Sequence, residues 1–430
     1  MSSSVIQLEC QCNNYPWGKK GKQSLAAQFA ASTPGGHFKL DESKEYAEVI
    51  TSDTSDTSQY PLSSLTLIDV VWDYPTTPSL ILSSGEDLQK HLNANKEKLI
   101  GKPILEKFGT DLPFLPKILS IAKALPLQIH PDKDLAARLH KKEPSKFSDE
   151  NHKPEIAVAL SKFEVFVGFK PLLEIQGLFT SIPILKSRFT NESQSHFNAE
   201  TLKGIVGKIL SASDEEIVEV YETLRNTPKK AFGKHTYIPE LLPRLAEQYD
   251  KSDPGNLVAL LTMNFLVLKK GDAIYVPADG IHAYLSGDIV ECMARSDNVL
   301  NTGFCPRADR DSVATFTSAL TFSPASPNEA LLSPKLSPKG KHGHTQVLAP
   351  PMSEFNMLVT NLGAGEREVL ESLGGPGVML LTAGKGKMIA EGKERDVKEG
   401  WVFFVGVGTE LEFVGDDDGG LEFHLAFCEP

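Results

Sequence analysis

Long apolar runs are missing from this chain. No segment holds the roughly eighteen uncharged apolar residues that a membrane-spanning helix needs, and the opening MSSSVIQLECQC shows no basic stretch followed by an apolar core. Secretion and membrane insertion are therefore not expected, and a cytoplasmic location is. Cysteine is scarce. Cys10, Cys12, Cys292, Cys305 and Cys428 are the 5 in 430 residues, an odd and sparse set unlike the dense even sets that staple small secreted domains. Cys10 and Cys12 have no second ligand pair at zinc-finger spacing and read as structural. An excess of basic charge is missing too: 44 Lys plus Arg stand against 56 Asp plus Glu, a net charge of −12. Such a field repels polyphosphate backbones and anionic lipid, which excludes nucleic acid and membrane surfaces as general partners. It leaves room for a local basic pocket that binds a small anion.

What the chain does have is 40% hydrophobic residues with 33 Gly and 22 Phe, the composition of a folded, turn-rich protein. A length of 430 residues exceeds what one core usually supports, so two or three packed units are expected. From Leu112 to Lys170 apolar runs broken by proline predict strands, and EIAVALSKFEVFVGF predicts two, joined at Ser161-Lys162. Upstream, GEDLQKHLNANKEKLIGKPILEKFG has helical spacing and is expected to cover one side of the sheet, whereas Thr51 to Ser64 reads as an exposed polar loop. Between about Leu172 and Asn264 the apolar period becomes helical, at Leu202, Ile205, Val206 and Ile209 and again at Ile217, Val218, Tyr221 and Leu224. Ser213 and Glu216 are spaced as a capping box. Short β-rich runs return at LLTMNFLVLKKGDAIYVPADGIHAYLSGDIVECMA. Beyond a Pro/Ser/Lys-rich connector, strands separated by glycine turns predict an antiparallel sandwich or jelly roll. Asp416-Asp417-Asp418-Gly419-Gly420 is expected to be a hairpin turn. The fold class is mainly β with an α-helical insertion.

The chemistry-bearing residues cluster in three short runs. Gln128 and His130, two apart in a predicted strand, project to one face. Asn151-His152-Lys153-Pro154-Glu155 places a histidine, a lysine and a carboxylate before an apolar strand, and His282 follows the turn at Gly280. Each histidine alone is more simply a structural residue. Together, two imidazoles, a carboxylate and an amide oxygen form a mixed nitrogen and oxygen set that suits Zn²⁺, with Fe²⁺ or Mn²⁺ as alternatives. His342 and His344 fall in the connector and read as solvated.

The runs Tyr15-Pro16-Trp17-Gly18-Lys19, Leu112-Pro113-Phe114-Leu115 with Lys117, Gln128-Ile129-His130-Pro131-Asp132-Lys133, Asn151-His152-Lys153-Pro154-Glu155 and Pro277 through His282 to Asp288 resemble type I mannose-6-phosphate isomerase. So do Glu291-Cys292-Met293-Ala294, Ser296-Asp297-Asn298-Val299 and Pro350-Pro351 with Glu354-Phe355. The resemblance implies a cupin jelly-roll β-barrel holding the site, a helical insertion and a second, C-terminal cupin-like barrel. The units expected are 1–171 and 263–321 for the catalytic barrel, 172–262 for the insertion, and 322–430 for connector and second barrel. It also implies one Zn²⁺ held by Gln128, His130, Glu155 and His282, and interconversion of mannose 6-phosphate and fructose 6-phosphate through an enediol. The product would supply mannose for GDP-mannose and glycosylation. Lys153 and Glu291 are candidates for proton transfer. Arg307 matches a basic position of the family's G-[LF]-T-P-K run and is a further catalytic candidate, and Trp17, Lys133, Asp297 and Arg310 are candidates for binding the hexose 6-phosphate. A monomer is expected.

Three departures from the family pattern fall on the substrate side. Asn301 occupies the place of the family's catalytic arginine, and an amide cannot supply that cation. Pro126 replaces a serine and so lacks a hydroxyl and a backbone N–H. After Tyr46-Ala47-Glu48 the chain runs Val49-Ile50-Thr51-Ser52-Asp53 in place of L-W-M-G-T-H. With the four metal positions intact, these changes also suit a divergent paralogue that binds sugar phosphates with weak or no turnover. A metal-dependent cupin oxygenase is disfavoured by the amide ligand and the isomerase motifs.

Overall fold

Two unusually long strands, each bent at a glycine, set the architecture. In the computed structural model, which describes residues 3–50, 79–190, 196–352 and 354–430, they are His282–Ala294, 13 residues, and Gly377–Ala390, 14 residues. The loop expected at Thr51–Ser64 lies outside the described residues. Up to Ser286 the first strand pairs with Phe163–Phe169 and, at His282, with Leu127–Ile129; from Gly287 onward it pairs with Phe114–Ile121 and Glu155–Ala159. It therefore belongs to both layers of one β unit. Gly287 makes the bend possible: its φ is 129°, and a Cβ there would lie 2.7 Å from the Lys162 carbonyl oxygen. Gly377–Ala390 repeats the device, pairing first with Val402–Val405 and Leu421–Phe427 and then with Lys393–Lys398 and Leu411–Gly415.

The result is a ten-stranded and an eleven-stranded sheet system, each folded into two layers, plus the small pair Lys19–Lys20 with Glu45–Tyr46 among the described residues. This is the mainly β, two-unit jelly-roll class expected, although the hydrogen-bonded paths end at edges rather than closing into barrels. The predicted strands at Glu155–Ala159 and Phe163–Phe169 form, on opposite layers. One expected hairpin does not form. The strands Leu411–Gly415 and Leu421–Phe427 pair not with each other but with successive halves of Gly377–Ala390, so Asp416–Gly420 is a corner between layers.

The unit boundaries depart from the sequence reading at the N-terminal end. Val5–Glu9 and Leu80–Ile81 join the C-terminal sheet, with Val5 to Leu8 opposite Val405 to Val402. The reason is apolar: Ile6 and Leu8 enter a core shared with Ile118, Val290, Leu380 and Phe404, between the two β units, while Val5 enters the core of the second unit. The helical segment upstream of Leu112 forms as Leu88–Ala94, Lys96–Leu99 and Lys102–Phe108, and buries Leu88, Leu92, Leu99 and Ile104 in that same shared core.

The insertion carries helices from Leu172–Ser181 to Pro254–Thr262. The capping box of Ser213 and Glu216 forms, and Leu202, Ile205, Val206, Ile209, Ile217 and Leu224 are buried as their period requires. This core continues without a break into Leu127, Ile129, Phe166, Ile281, Ala283 and Leu300, the outward side of the strands that carry the site. The closest approach joins the helix Pro254–Thr262 to the strand Leu300–Gly303. Buried Asp253 caps the helix by accepting from the Gly255 N–H at 2.7 Å, and its other oxygen accepts from the Phe304 N–H at 3.0 Å. A Cβ on Gly303 would meet the Gly255 backbone. Gly303→Ala is accordingly expected to cost about 1–3 kcal/mol through overpacking, read as a lowered melting temperature. An unchanged transition would contradict this contact.

Candidate metal centre

Strand alternation divides the residues between helices and site. Leu127–Ile129 lies between His282–Ala294 and Leu300–Gly303, with Gln128 opposite His282 on one side and Asn301 on the other. Directly opposed residues project to one face. His282, Gln128 and Asn301 therefore form a row across three strands, facing inward, while Leu127, Ile129, Ile281, Ala283 and Leu300 face the helices. His130 follows Gln128 by two residues on the same side, and Glu155 opens its strand opposite Met293.

The ligating atoms of His130, Glu155 and His282 lie within 4.8 Å of one another, and all three residues are buried. His130 Nδ1 meets the Asn298 carbonyl oxygen at 2.8 Å and His282 Nδ1 meets that of Gly280 at 2.9 Å. Each carbonyl fixes the tautomer with the proton on Nδ1 and presents the Nε2 lone pair to the centre. Those nitrogens sit 3.1 and 3.6 Å from the Glu155 oxygens, and Tyr284 donates its hydroxyl to Glu155 Oε2 at 2.9 Å. Burial, with the Lys153 charge, pushes His130 down to about 4, and burial lowers His282 as well, so both imidazoles are neutral near pH 7. The two Nε2 atoms and the buried Gln128 Oε1 lack hydrogen-bond partners. Three lone-pair donors and a carboxylate, buried and converging without protons between them, repel one another unless a cation lies among them. The donor set of two nitrogens and two oxygens fits Zn²⁺.

Charged groups surround this centre. Glu291 stands opposite Lys117 on the neighbouring strand. Nine residues from His282, it would lie on the opposite face of a regular strand, but the bend at Gly287 reverses the alternation: His282 and Tyr284 face inward before it, Ile289 and Glu291 after it, with Val290 and Cys292 outward. Burial, with the nearby Glu155 charge, raises the Glu291 carboxyl. Burial alone would lower the Lys117 ammonium, but Glu48 and Glu291 more than reverse this and hold it above the ordinary range. Lys117 Nζ lies 3.5 Å from Glu48 Oε2. Burial also pushes the Asp297 carboxyl up to about 7, against Lys153. Lys153, Glu291 and Asp297 thus share one electrostatic environment with Glu155. The sequence reading gave no role to Lys117, Glu48 or Tyr284. The available signal was Lys117 as the one charge in the otherwise apolar strand Phe114–Ile121.

The other expected site residues have these partners. Arg307 points to Asp214 at the surface of the insertion, with 68% of its side chain exposed, and so is not in the buried cluster. Arg310 donates to Asp253 Oδ2 at 2.8 Å and to the Cys305 carbonyl oxygen, which engages it in the helix cap. Lys133 reaches Glu354 of the second unit at 2.9 Å, and His152 Nε2 meets the same carboxylate oxygen at 2.8 Å. Trp17 stacks on Tyr15 at 5.7 Å, and its carbonyl accepts from Ala122 and Lys123, at the turn that leads to Gln128. Cys10 and Cys12 are buried in the core between the β units, as their structural reading requires. His342 is half exposed.

Comparison with known proteins agrees with this geometry. A family model described as the catalytic domain of type I phosphomannose isomerase matches residues 5–172. Mannose-6-phosphate isomerase of Ogataea parapolymorpha is 32% identical, covering 97% of this chain and 96% of its own. That of Saccharomyces cerevisiae is 32% identical over 100% of both chains. Among solved structures, mannose 6-phosphate isomerase of Salmonella typhimurium with fructose 6-phosphate and zinc superposes with a TM-score of 0.78 at 22% identity, over 100% of both chains. At that identity the likeness is one of fold.

The Glu354 bridge has a pH signature. Burial pushes this carboxyl up, but hydrogen bonds from His152 and Lys133 more than offset that and bring it down to about 2. A lowered carboxyl contributes stability that is present above the ordinary carboxylate range and is lost as pH falls toward about 2. Between pH 5 and 3 the melting temperature of the wild type is expected to fall more steeply than that of Glu354→Gln. Superimposable melting curves for the two proteins would contradict the bridge.

Proposed function

The chain belongs to the type I mannose-6-phosphate isomerase family, and from that membership we propose that it is a zinc-dependent aldose-ketose isomerase interconverting mannose 6-phosphate and fructose 6-phosphate. The observation that carries the proposal is the convergence of His130, Glu155 and His282, whose Nε2 atoms lack partners, with the buried, partnerless Gln128 Oε1 on the same face. Gln128, His130, Glu155 and His282 hold the Zn²⁺. When bound, the ion polarises the sugar carbonyl and stabilises the negative charge of the enediolate.

The chain's own groups move the proton. Isomerisation transfers a proton between C1 and C2 and requires a group able to hold it near neutral pH. Glu291, buried on the inward face with a raised carboxyl, takes this part. Lys153, two residues before Glu155 and buried beside it, holds the oxygen on which charge develops. Lys117 and Glu48 keep the Glu291 side of the site electrically balanced. Tyr284 orients the second oxygen of Glu155. Asp297, Trp17 and Lys133 border the sugar phosphate. Supply of mannose for GDP-mannose and glycosylation belongs to the same proposal. So do a monomeric state, a cytoplasmic location consistent with five free, buried cysteines, and a helical unit at 172–262. No helix among the described residues is long and apolar enough to cross a membrane.

A second reading, a sugar-phosphate-binding protein with little turnover, is favoured by Asn301 and by the carboxylate partners of Arg307 and Arg310. One experiment separates the two. Zinc-loaded protein given mannose 6-phosphate in D₂O is expected to form fructose 6-phosphate carrying deuterium at C1 and to return mannose 6-phosphate carrying deuterium at C2, and a chelator abolishes both. Glu291→Gln is expected to lower kcat by about 10²- to 10⁴-fold with zinc content unchanged. Zinc-loaded wild type that binds the sugar phosphate but neither converts it nor exchanges its C2 proton would leave the second reading standing.

A further inference from the structure

A fourth unpartnered acceptor lies in the row that holds the metal ligands. Asn301 is 4% exposed and its Oδ1 is buried without a hydrogen-bond partner, like Gln128 Oε1 and the two histidine Nε2 atoms. Its backbone is fixed. The Asn301 N–H donates to Asp311 Oδ2 at 2.8 Å, its carbonyl accepts from the Asp311 N–H at 2.8 Å, and its strand pairs with Leu127–Ile129 through the Asn301 to Gln128 register. Register puts the side chain on the inward face beside Gln128. A divalent cation in the cleft favours the oxygen end of the amide turned toward it.

Two features decide what this oxygen meets. Asn301 stands beyond Gln128 from His282, at the far end of the row, and its side chain is one carbon shorter than that of Gln128. Register and length thus set its oxygen apart from the four ligands while keeping it on the same inward face. A buried acceptor in that place lacks only a donor, and a sugar bound at the cation brings its hydroxyls there. Building on the isomerase reading, we infer that Asn301 accepts a hydrogen bond from the sugar hydroxyl at C2 and so selects ligands that carry one. It acts as a specificity-determining residue. A neutral acceptor at this position rewards a hydroxyl and offers nothing to a bare methylene, since a site built to bond a hydroxyl discriminates against the analogue without it.

The test uses two unreactive hexitol phosphates, mannitol 6-phosphate and 2-deoxyglucitol 6-phosphate, titrated calorimetrically into zinc-loaded protein. Wild type is expected to bind the first about tenfold more tightly, and Asn301→Leu, nearly isosteric but without the acceptor, to bind the two about equally. Asn301→Ser, which keeps a smaller oxygen, is expected to retain part of the preference. A wild-type ratio near one overturns the inference even if neither variant folds. So does an unaltered ratio in Asn301→Leu, and so does loss of zinc from that variant, which would place Asn301 among the metal ligands. In all three cases turnover of mannose 6-phosphate by the wild type leaves the isomerase reading intact. A wild type that neither binds the hexitol phosphates nor turns over mannose 6-phosphate overturns both.

Discussion

The structure is organised around one electrostatic constraint: a buried carboxylate and two neutral imidazoles present their lone pairs to one another with no proton donor of the site's own between them. The arrangement is unfavourable for the protein alone and favourable once a cation occupies it. The Asn298 and Gly280 carbonyls matter because they fix which imidazole nitrogen faces inward. The Tyr284 hydroxyl matters because it fixes the carboxylate. Packing of the surrounding strands against the helical insertion keeps Gln128 and His282 in place, since their outward neighbours Leu127, Ile129, Ile281 and Ala283 are core residues there, while Ile156 beside Glu155 packs in the core between the β units.

A second constraint is geometric. A strand that served one layer could not present both His282 and Glu291 to the same interior. The bend at Gly287 breaks the alternation and turns the outward face from the insertion toward the second β unit. One strand thus supplies a metal ligand, the tyrosine that orients another ligand, and the buried carboxyl assigned to proton transfer.

Much of this was legible from residues alone. Gln128 and His130 share a face by simple alternation, and the chemistry of Glu155 and His282 follows from residue type. The helical period of the insertion and its capping box at Ser213 are local signals, and both formed. What was hidden depended on distant partners. The carboxylate partners of Arg307 and Arg310, the catalytic and the substrate-binding candidate, were hidden because the sequence does not show Asp214 and Asp253 beside them. The contact of Lys133 with Glu354 was hidden because Glu354 lies in the other β unit. Glu291 carried its signal in a motif, but its orientation required the reversal at Gly287, which periodicity alone places on the wrong face.

The strand Val5–Glu9 is made before its partner Val402–Val405, and most of both β units lies between them in sequence. During synthesis, an apolar strand with Ile6 and Leu8 cannot join this edge until Val402–Val405 has been made. Closure then couples the two β units across a long sequence separation, a non-local pairing of the kind that slows folding. A nascent chain stalled before residue 402 therefore displays this strand together with the uncovered face of the catalytic unit at Ile118, Val290 and Cys292. That is the surface a chaperone would have to shield. The two β units are, in this sense, separate in the metal chemistry they carry and inseparable in how they are completed.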